Sequence, residues 1–230
     1  MDLRFAELVP ATFVRRLNRF VAEVDRDGER MPVHVPSTGR LDTVLVPGRS
    51  CFLRPGKGRA RRYPYSLFLV RAPESWVCID ALVANAVAEA LLVAGRVPGV
   101  PAGDVRREVA WCGHRVDFAV SAEGRLHLIE VKSVNLAVAR LALFPDAPTE
   151  RGTRHLRALQ EAQQRDAAQA HVLFVVQRAD ADAFAPHEAV DPAFAQALRA
   201  LAAAGANVQA VRTRVSPLGL SVAEWLPVRL

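Results

Sequence analysis

Apolar positions divide the chain into two parts with different periodicity. Up to Ile79 they come as short runs of strand length, punctuated by Gly and Pro. From Thr12 to Val24, the residues Phe13, Val14, Leu17, Phe20, Val21 and Val24 interleave with Arg15, Arg16 and Arg19, and Asp25-Arg-Asp-Gly28 then reads as a hairpin turn. Val33 to Val35 is the returning strand, with further runs at Thr43 to Val46, Cys51 to Leu53, Leu67 to Val70 and Trp76 to Ile79. The spacing predicts a small five-stranded β-barrel of the oligonucleotide-binding (OB) type over residues 1–80. After Ile79 the period lengthens. Asp80 caps a helix from Ala81 to Val93, ended by Gly95 and Pro98. A strand from Val105 to Trp111 and a hairpin follow, then a helix from about Glu150 to Arg165 with Thr149 as its N-cap. A buried strand spans His171 to Gln177, a helix runs from Asp191-Pro192 to Ala204, and a last strand covers Val208 to Val215. This order predicts a layered α/β domain with a mixed sheet over residues 81–230, so the fold class is mixed α/β.

The hairpin carries the candidate chemistry. Its strands are Arg115-Val-Asp117-Phe118 and Leu126-His-Leu-Ile-Glu-Val-Lys-Ser133, joined through Ser121-Ala-Glu-Gly-Arg125. A turn centred on Glu123-Gly124 places Asp117 opposite Glu130, with Cβ atoms roughly 5 Å apart. Lys132, two residues beyond Glu130, points to the same face. Like charges across a hairpin destabilise it unless a cation lies between them, and a divalent metal is the simplest such cation. Asp117 and Glu130, helped by the backbone carbonyl of Val131, are therefore the expected ligands of one or two Mg²⁺ or Mn²⁺ ions. Lys132 is expected to position the attacking water or stabilise charge on a phosphate. On the helix before them, Asn85 and Glu89 share a face at i and i+4, and Glu89 is the expected fourth catalytic residue. Arg151 and His155, one turn apart near a helix N-terminus, are candidates for holding a phosphate.

Composition and charge narrow the partner. The formal net charge is +6, and lysine occurs only at Lys57 and Lys132, so arginine supplies nearly all the positive charge. Arginine forks phosphate bidentately and stacks on bases, which points to a nucleic acid. The stretch from Arg54 to Tyr65 concentrates this signal: Arg54, Lys57, Arg59, Arg61 and Arg62 stand beside Tyr63 and Tyr65. Cations that track a phosphate backbone, with aromatics on which bases stack, suit a strand-binding surface. The three cysteines lack ligand or disulfide spacing. No apolar run is long enough to span a membrane and the N-terminus has no signal-peptide core, so a cytoplasmic protein is expected.

An Asp on one strand and Glu-X-Lys on its partner resembles the PD-(D/E)XK nucleases. Over nearly its whole length the chain also resembles the sugar fermentation stimulation protein A family. Leu17-Asn-Arg-Phe20, His34-Val-Pro-Ser-Thr-Gly39, Arg61-Arg-Tyr-Pro64, Arg115-Val-Asp-Phe118, Ile129-Glu-Val-Lys-Ser-Val134 and, above all, Phe144-Pro-Asp-Ala-Pro-Thr-Glu-Arg-Gly-Thr-Arg-His-Leu156 carry that resemblance. It implies an OB-like N-terminal domain, a PD-(D/E)XK-like C-terminal domain, and DNA binding linked to regulation of maltose and other sugar-utilisation genes. Two functions remain open on this reading: a metal-dependent nuclease, and a non-catalytic DNA-binding regulator that keeps the acids for structure. RNA in place of DNA is a third.

Overall fold

The computed structural model describes residues 2–56 and 62–230. Its first strand, β1 (Asp2–Arg4), is followed by β2 (Val9–Asn18), β3 (Val21–Arg26), β4 (Glu29–His34), β5 (Ser50–Pro55), β6 (Tyr65–Arg71) and β7 (Trp76–Cys78). Strands β2 to β6 form a five-stranded OB-like barrel in the order β4-β3-β2-β5-β6, closed by a parallel pairing of His34 with Ser66, and β7 extends it at β6. Alternation fills the interior: Phe13, Val24, Val33, Leu53 and Leu67 point inward and are almost fully buried.

Three features of this part depart from the sequence pattern. The run from Thr12 to Val24 is two strands, because a hairpin at Arg19-Phe20 breaks it; Asn18 Oδ1 accepts the Phe20 N–H at 2.9 Å and fixes the turn. The apolar run from Thr43 to Val46 is a turn, whose Val44 and Leu45 plug the barrel core instead of pairing. Strand β1 lies outside the barrel, paired antiparallel with the last strand of the chain.

The remainder comprises α1 (Ala81–Val93), β8 (Asp104–Trp111), β9 (His114–Ala122), β10 (Arg125–Val134), β11 (Leu136–Val138), β12 (Leu141–Phe144), α2 (Glu150–Gln164), β13 (Gln169–Val176), β14 (Ala183–Pro186), α3 (Pro192–Ala203), β15 (Asn207–Ser216) and β16 (Gly219–Leu226). A mixed seven-stranded sheet runs β1-β16-β15-β13-β10-β9-β8, with β10, β13 and β15 parallel. Parallel neighbours require crossovers, and α2 and α3 supply them. Both helices cover one face, where Leu156, Leu159, Phe194 and Leu198 pack on Leu128, Val172 and Phe174. Helix α1 covers the other, where Val83, Val87 and Leu91 meet Phe118, Ile129 and Val131. Helices α1 and α2 have the N-caps their sequence announced, Asp80 Oδ1 accepting from Leu82 N and Thr149 Oγ1 from Gly152 N, and Asp191 Oδ1 caps α3 by accepting from Phe194 N.

The barrel is tied to the sheet by buried polar contacts. Asn135 Nδ2 donates to the Cys78 carbonyl at 2.5 Å, Gln177 Nε2 donates to the Asp80 carbonyl at 3.1 Å, and Leu41 N donates to Asp146 Oδ2 at 3.1 Å. The last of these joins the barrel loop Pro36–Leu41 to the loop after β12. Gly39 leaves room there for the Asp146 carboxylate, which a Cβ would push aside. Among the described residues no helix is long and apolar enough to cross a membrane.

Candidate functional site

The β9–β10 hairpin turns at Glu123-Gly124, both with left-handed φ (51° and 73°), as a two-residue loop between twisted strands requires. Its register runs from Ala122 with Arg125 to Phe118 with Ile129. The next pair in this register is Asp117 with Glu130, and the ladder opens there: Asp117 Oδ2 itself accepts the Val131 N–H at 2.8 Å. On the other side of β9, the ladder to β8 is regular except opposite Asp117, where Glu108 takes φ of 52°. A non-glycine residue in that region costs about 1 kcal/mol. Asp117 is thus the residue at which both ladders are interrupted, and its side chain replaces a ladder acceptor.

Glu130 is buried on the face that α2 covers. Lys132 Nζ donates to its Oε1 at 2.6 Å, and His155 Nδ1, reaching down from α2, lies 2.7 Å from the same oxygen. The Glu130 Oε2 and Asp117 Oδ1 atoms take part in no hydrogen bond among the described residues. The two carboxyls titrate in opposite directions. Burial, then the neighbouring Glu130 charge, raises the pKa of Asp117 above its ordinary range. Burial also opposes ionisation of Glu130, but Lys132 and His155 together override it and hold its pKa below the usual value. The arrangement is one firmly ionised carboxylate held by the Lys132 ammonium and the His155 ring, and a second that resists ionisation beside it, a state an added hard cation would relieve.

Other expected site residues are dispersed. Glu89 pairs with Arg107 at 3.5 Å, and Arg107 is the ladder partner of Phe118, so Glu89 stands over the residue next to Asp117. Arg151 is exposed on the first turn of α2, with Nε 3.5 Å from His155 Nε2. His155 itself faces Glu130 and stacks edge-on against His114 at 5.8 Å, so it orients an acid where the sequence suggested a phosphate contact. Arg54 donates to Asp80 Oδ2 at 2.7 Å and lies 3.5 Å over the Phe68 ring, which commits it to the junction between barrel and α1. Lys57, Arg59 and Arg61 fall outside the described residues; Arg62 lies over Tyr63, with 5.5 Å from guanidinium carbon to ring centroid.

Several residues beside the site gave no signal in the sequence. Gln177 is fully buried and bridges the Asp80 carbonyl and Ser133 Oγ, while its Oε1 has no partner. Asp146, inside the Phe144–Leu156 block, anchors a loop by accepting from Leu41 N. A run that reads as the end of a strand gave no reason to expect Gln177, and Asp146 looked like a loop residue among prolines.

Comparison with known proteins accounts for both parts of the chain. The family model described as the SfsA N-terminal OB domain matches residues 14–79, and the one described as the sugar fermentation stimulation protein RE domain matches residues 82–219. The chain belongs to the sugar fermentation stimulation protein family. Family homologues include one from Carboxydothermus hydrogenoformans, 41% identical over 96% of both chains, and one from Acetivibrio thermocellus, 44% identical over 91% of this chain and 90% of its own. Among solved structures, "The structure of Pyrococcus Furiosus SfsA in complex with Ca2+" superposes over 100% of both chains with a TM-score of 0.91 at 24% identity. The family fold therefore extends through barrel and sheet alike.

Proposed function

We propose that this chain is a DNA-binding protein with a divalent-metal-dependent nuclease site built on Asp117, Glu130 and Lys132. One observation carries the proposal: a buried carboxyl, Glu130, and a half-buried one, Asp117, each with an oxygen outside the hydrogen bonds of the described residues, stand together beside the half-buried Lys132 amine. Among the described residues no group of three or more His, Cys, Asp and Glu converges to hold a metal. The donor set is accordingly two carboxylates with backbone and water, which fits Mg²⁺ or Mn²⁺, hard cations of which Mg²⁺ keeps several waters. Asp117, Glu130 and the Val131 carbonyl would hold the ion, which supplies a more acidic water and charge neutralisation at the scissile phosphate. The Ca²⁺ named for the Pyrococcus furiosus protein is a cation of the same oxygen-seeking class.

The chain's own residues do the rest. Glu130 fixes the Lys132 ammonium, which then offers a stationary positive charge to a phosphate oxygen or the attacking water. His155 holds Glu130 from the α2 side, so two donors orient that carboxylate. Glu89 lies on α1, on the other face of the sheet from Glu130, where it pairs with Arg107, and takes no part in this donor set. Arg151 on α2 and the basic stretch of Lys57, Arg59, Arg61 and Arg62 with Tyr63 supply phosphate and base contacts. A role in sugar-gene regulation, which the family name suggests, rests on this binding.

Incubation of purified protein with single- and double-stranded DNA and RNA, with Mn²⁺ or Mg²⁺, tests the reading beside Asp117→Ala and Lys132→Ala. Metal-dependent cleavage that falls about a hundredfold or more in both variants is expected. Cleavage unchanged in both removes the site. Tight DNA binding without cleavage by the wild-type protein supports the regulator in place of the nuclease.

A further inference from the structure

Beside Lys132, the barrel and the sheet enclose a cleft of about 320 Å³, lined on one side by Arg19, Ser37 and Thr38 and on the other by Lys132, Ser133 and Thr149. Its volume is at the low end for a small organic ligand and leaves no room for a paired base with its partner. Leu136, Leu143 and Phe144 contribute apolar lining, beside the hydroxyls of Ser37, Thr38, Ser133 and Thr149 and the cations Arg19 and Lys132. Asp146 also lines it, with Oδ2 accepting from Leu41 N.

The β2–β3 hairpin borders this cleft through Arg19, the neighbour of Phe20 at its tip. Its tip exposes Leu17 and Phe20, 44% and 50% accessible, although apolar residues in the neighbouring strands turn inward. Arg19 lies over the Phe20 ring at 5.7 Å and borders both this cleft and a second depression that runs along Arg16 and Arg40. Arg16 links the hairpin to the loop after β4: its guanidinium donates to the carbonyls of Gly39 and Arg19 at 2.7 Å each, and to that of Arg40. The loop and hairpin beside the cleft are therefore tied together by Arg16, while the Phe20 ring and the Arg19 guanidinium, which makes no ion pair among the described residues, are exposed.

Resting on the nucleic-acid reading above, we propose that the cleft seats one unpaired nucleotide, with Phe20 as the stacking platform and Arg19 and Lys132 as the phosphate contacts on either side. The substrate is then a single strand or a frayed end, and the strand enters over the Leu17–Phe20 tip. A ring exposed next to a cation offers a face to any base, and nucleotides must leave the stack to enter a closed pocket.

Fluorescence anisotropy with labelled oligothymidylate, the same strand as a blunt duplex, and oligouridylate reads this out in Ca²⁺ without cleavage. Single strand is expected to bind about tenfold more tightly than blunt duplex, and Phe20→Ala and Arg19→Ala are each expected to weaken it about tenfold. Both side chains are exposed, so thermal melts of the variants should match the wild type. Equal affinity of wild type and both variants overturns the seat while leaving the nuclease reading intact. Preference for the duplex overturns the unpaired nucleotide, and absence of binding to any strand by wild type overturns both readings. Oligouridylate bound as tightly as oligothymidylate supports an unpaired strand of either sugar; binding to it alone assigns RNA to the seat.

Discussion

Strand β10 carries two buried polar clusters, and they differ in kind. Near its start His127 Nδ1 lies 3.0 Å from His171 Nε2, and Asn207 reaches the other His171 nitrogen at 3.4 Å. Burial lowers both imidazole pKa values, that of His171 to about 3, so this cluster is neutral and its polar atoms satisfy one another. Near its end Glu130 stays ionised between Lys132 and His155 while Asp117 is pressed toward its protonated form. Burial of polar groups is common to the two; conflict of charge, with carboxyl oxygens left over, belongs only to the second. That conflict is the sign of a site, since a purely structural cluster has nothing to gain from it.

The largest effect that would sharpen this contrast is on stability. Glu130→Ala leaves Lys132 and His155 facing each other and should cost about 3 kcal/mol in urea unfolding at neutral pH. Asp117→Asn should leave stability unchanged or raise it. The sign follows from its raised pKa: the folded state holds the Asp117 proton more tightly, so ionisation weakens folding as pH rises through the window above the unfolded value. Glu130 behaves oppositely, contributing stability above its unfolded pKa that is lost as pH falls through its lower folded value. A strong loss in Asp117→Asn would make that carboxylate structural.

The histidine cluster gives the next effect. His171 is depressed to about 3, so its contribution is present above the unfolded histidine pKa and is lost as pH falls toward that value. His171→Gln should remove up to about 1.4 kcal/mol per pH unit from the acid limb of the stability curve. An unchanged acid limb would show that the pair is not what makes the fold acid-sensitive. The smallest effect separates two arginines of the basic stretch. Arg54→Ala should lower the melting temperature without changing strand affinity, because Arg54 holds Asp80, whereas Arg62→Ala should reduce the slope of log affinity against log salt by about one. The reverse result would return Arg54 to the strand-binding surface.

Much of this was legible in the sequence where local chemistry decides. The three N-caps and the Glu123-Gly124 turn are local, so the helices and the hairpin register follow from the residues themselves. Strand β1 was illegible because three residues at the edge of a sheet gain their pairing from β16, more than two hundred positions away. The Thr43–Val46 run misled because a buried turn and a strand bury apolar residues equally well. At the site, alternation placed Lys132 beside Glu130, but only tertiary packing could bring His155 down from α2 onto the same oxygen. The same holds for Arg19 and Lys132, which face one cleft from two parts of the fold.

The central claim is that Asp117 and Glu130 together hold a divalent ion. Isothermal titration of Mn²⁺ into the wild-type protein and into Asp117→Asn, with folding of both checked by thermal melts, tests it without any substrate. Saturable binding to the wild type, weakened about tenfold or more in the variant, is the expected result. Equal Mn²⁺ affinity in two equally folded proteins, or no binding by either, would contradict it.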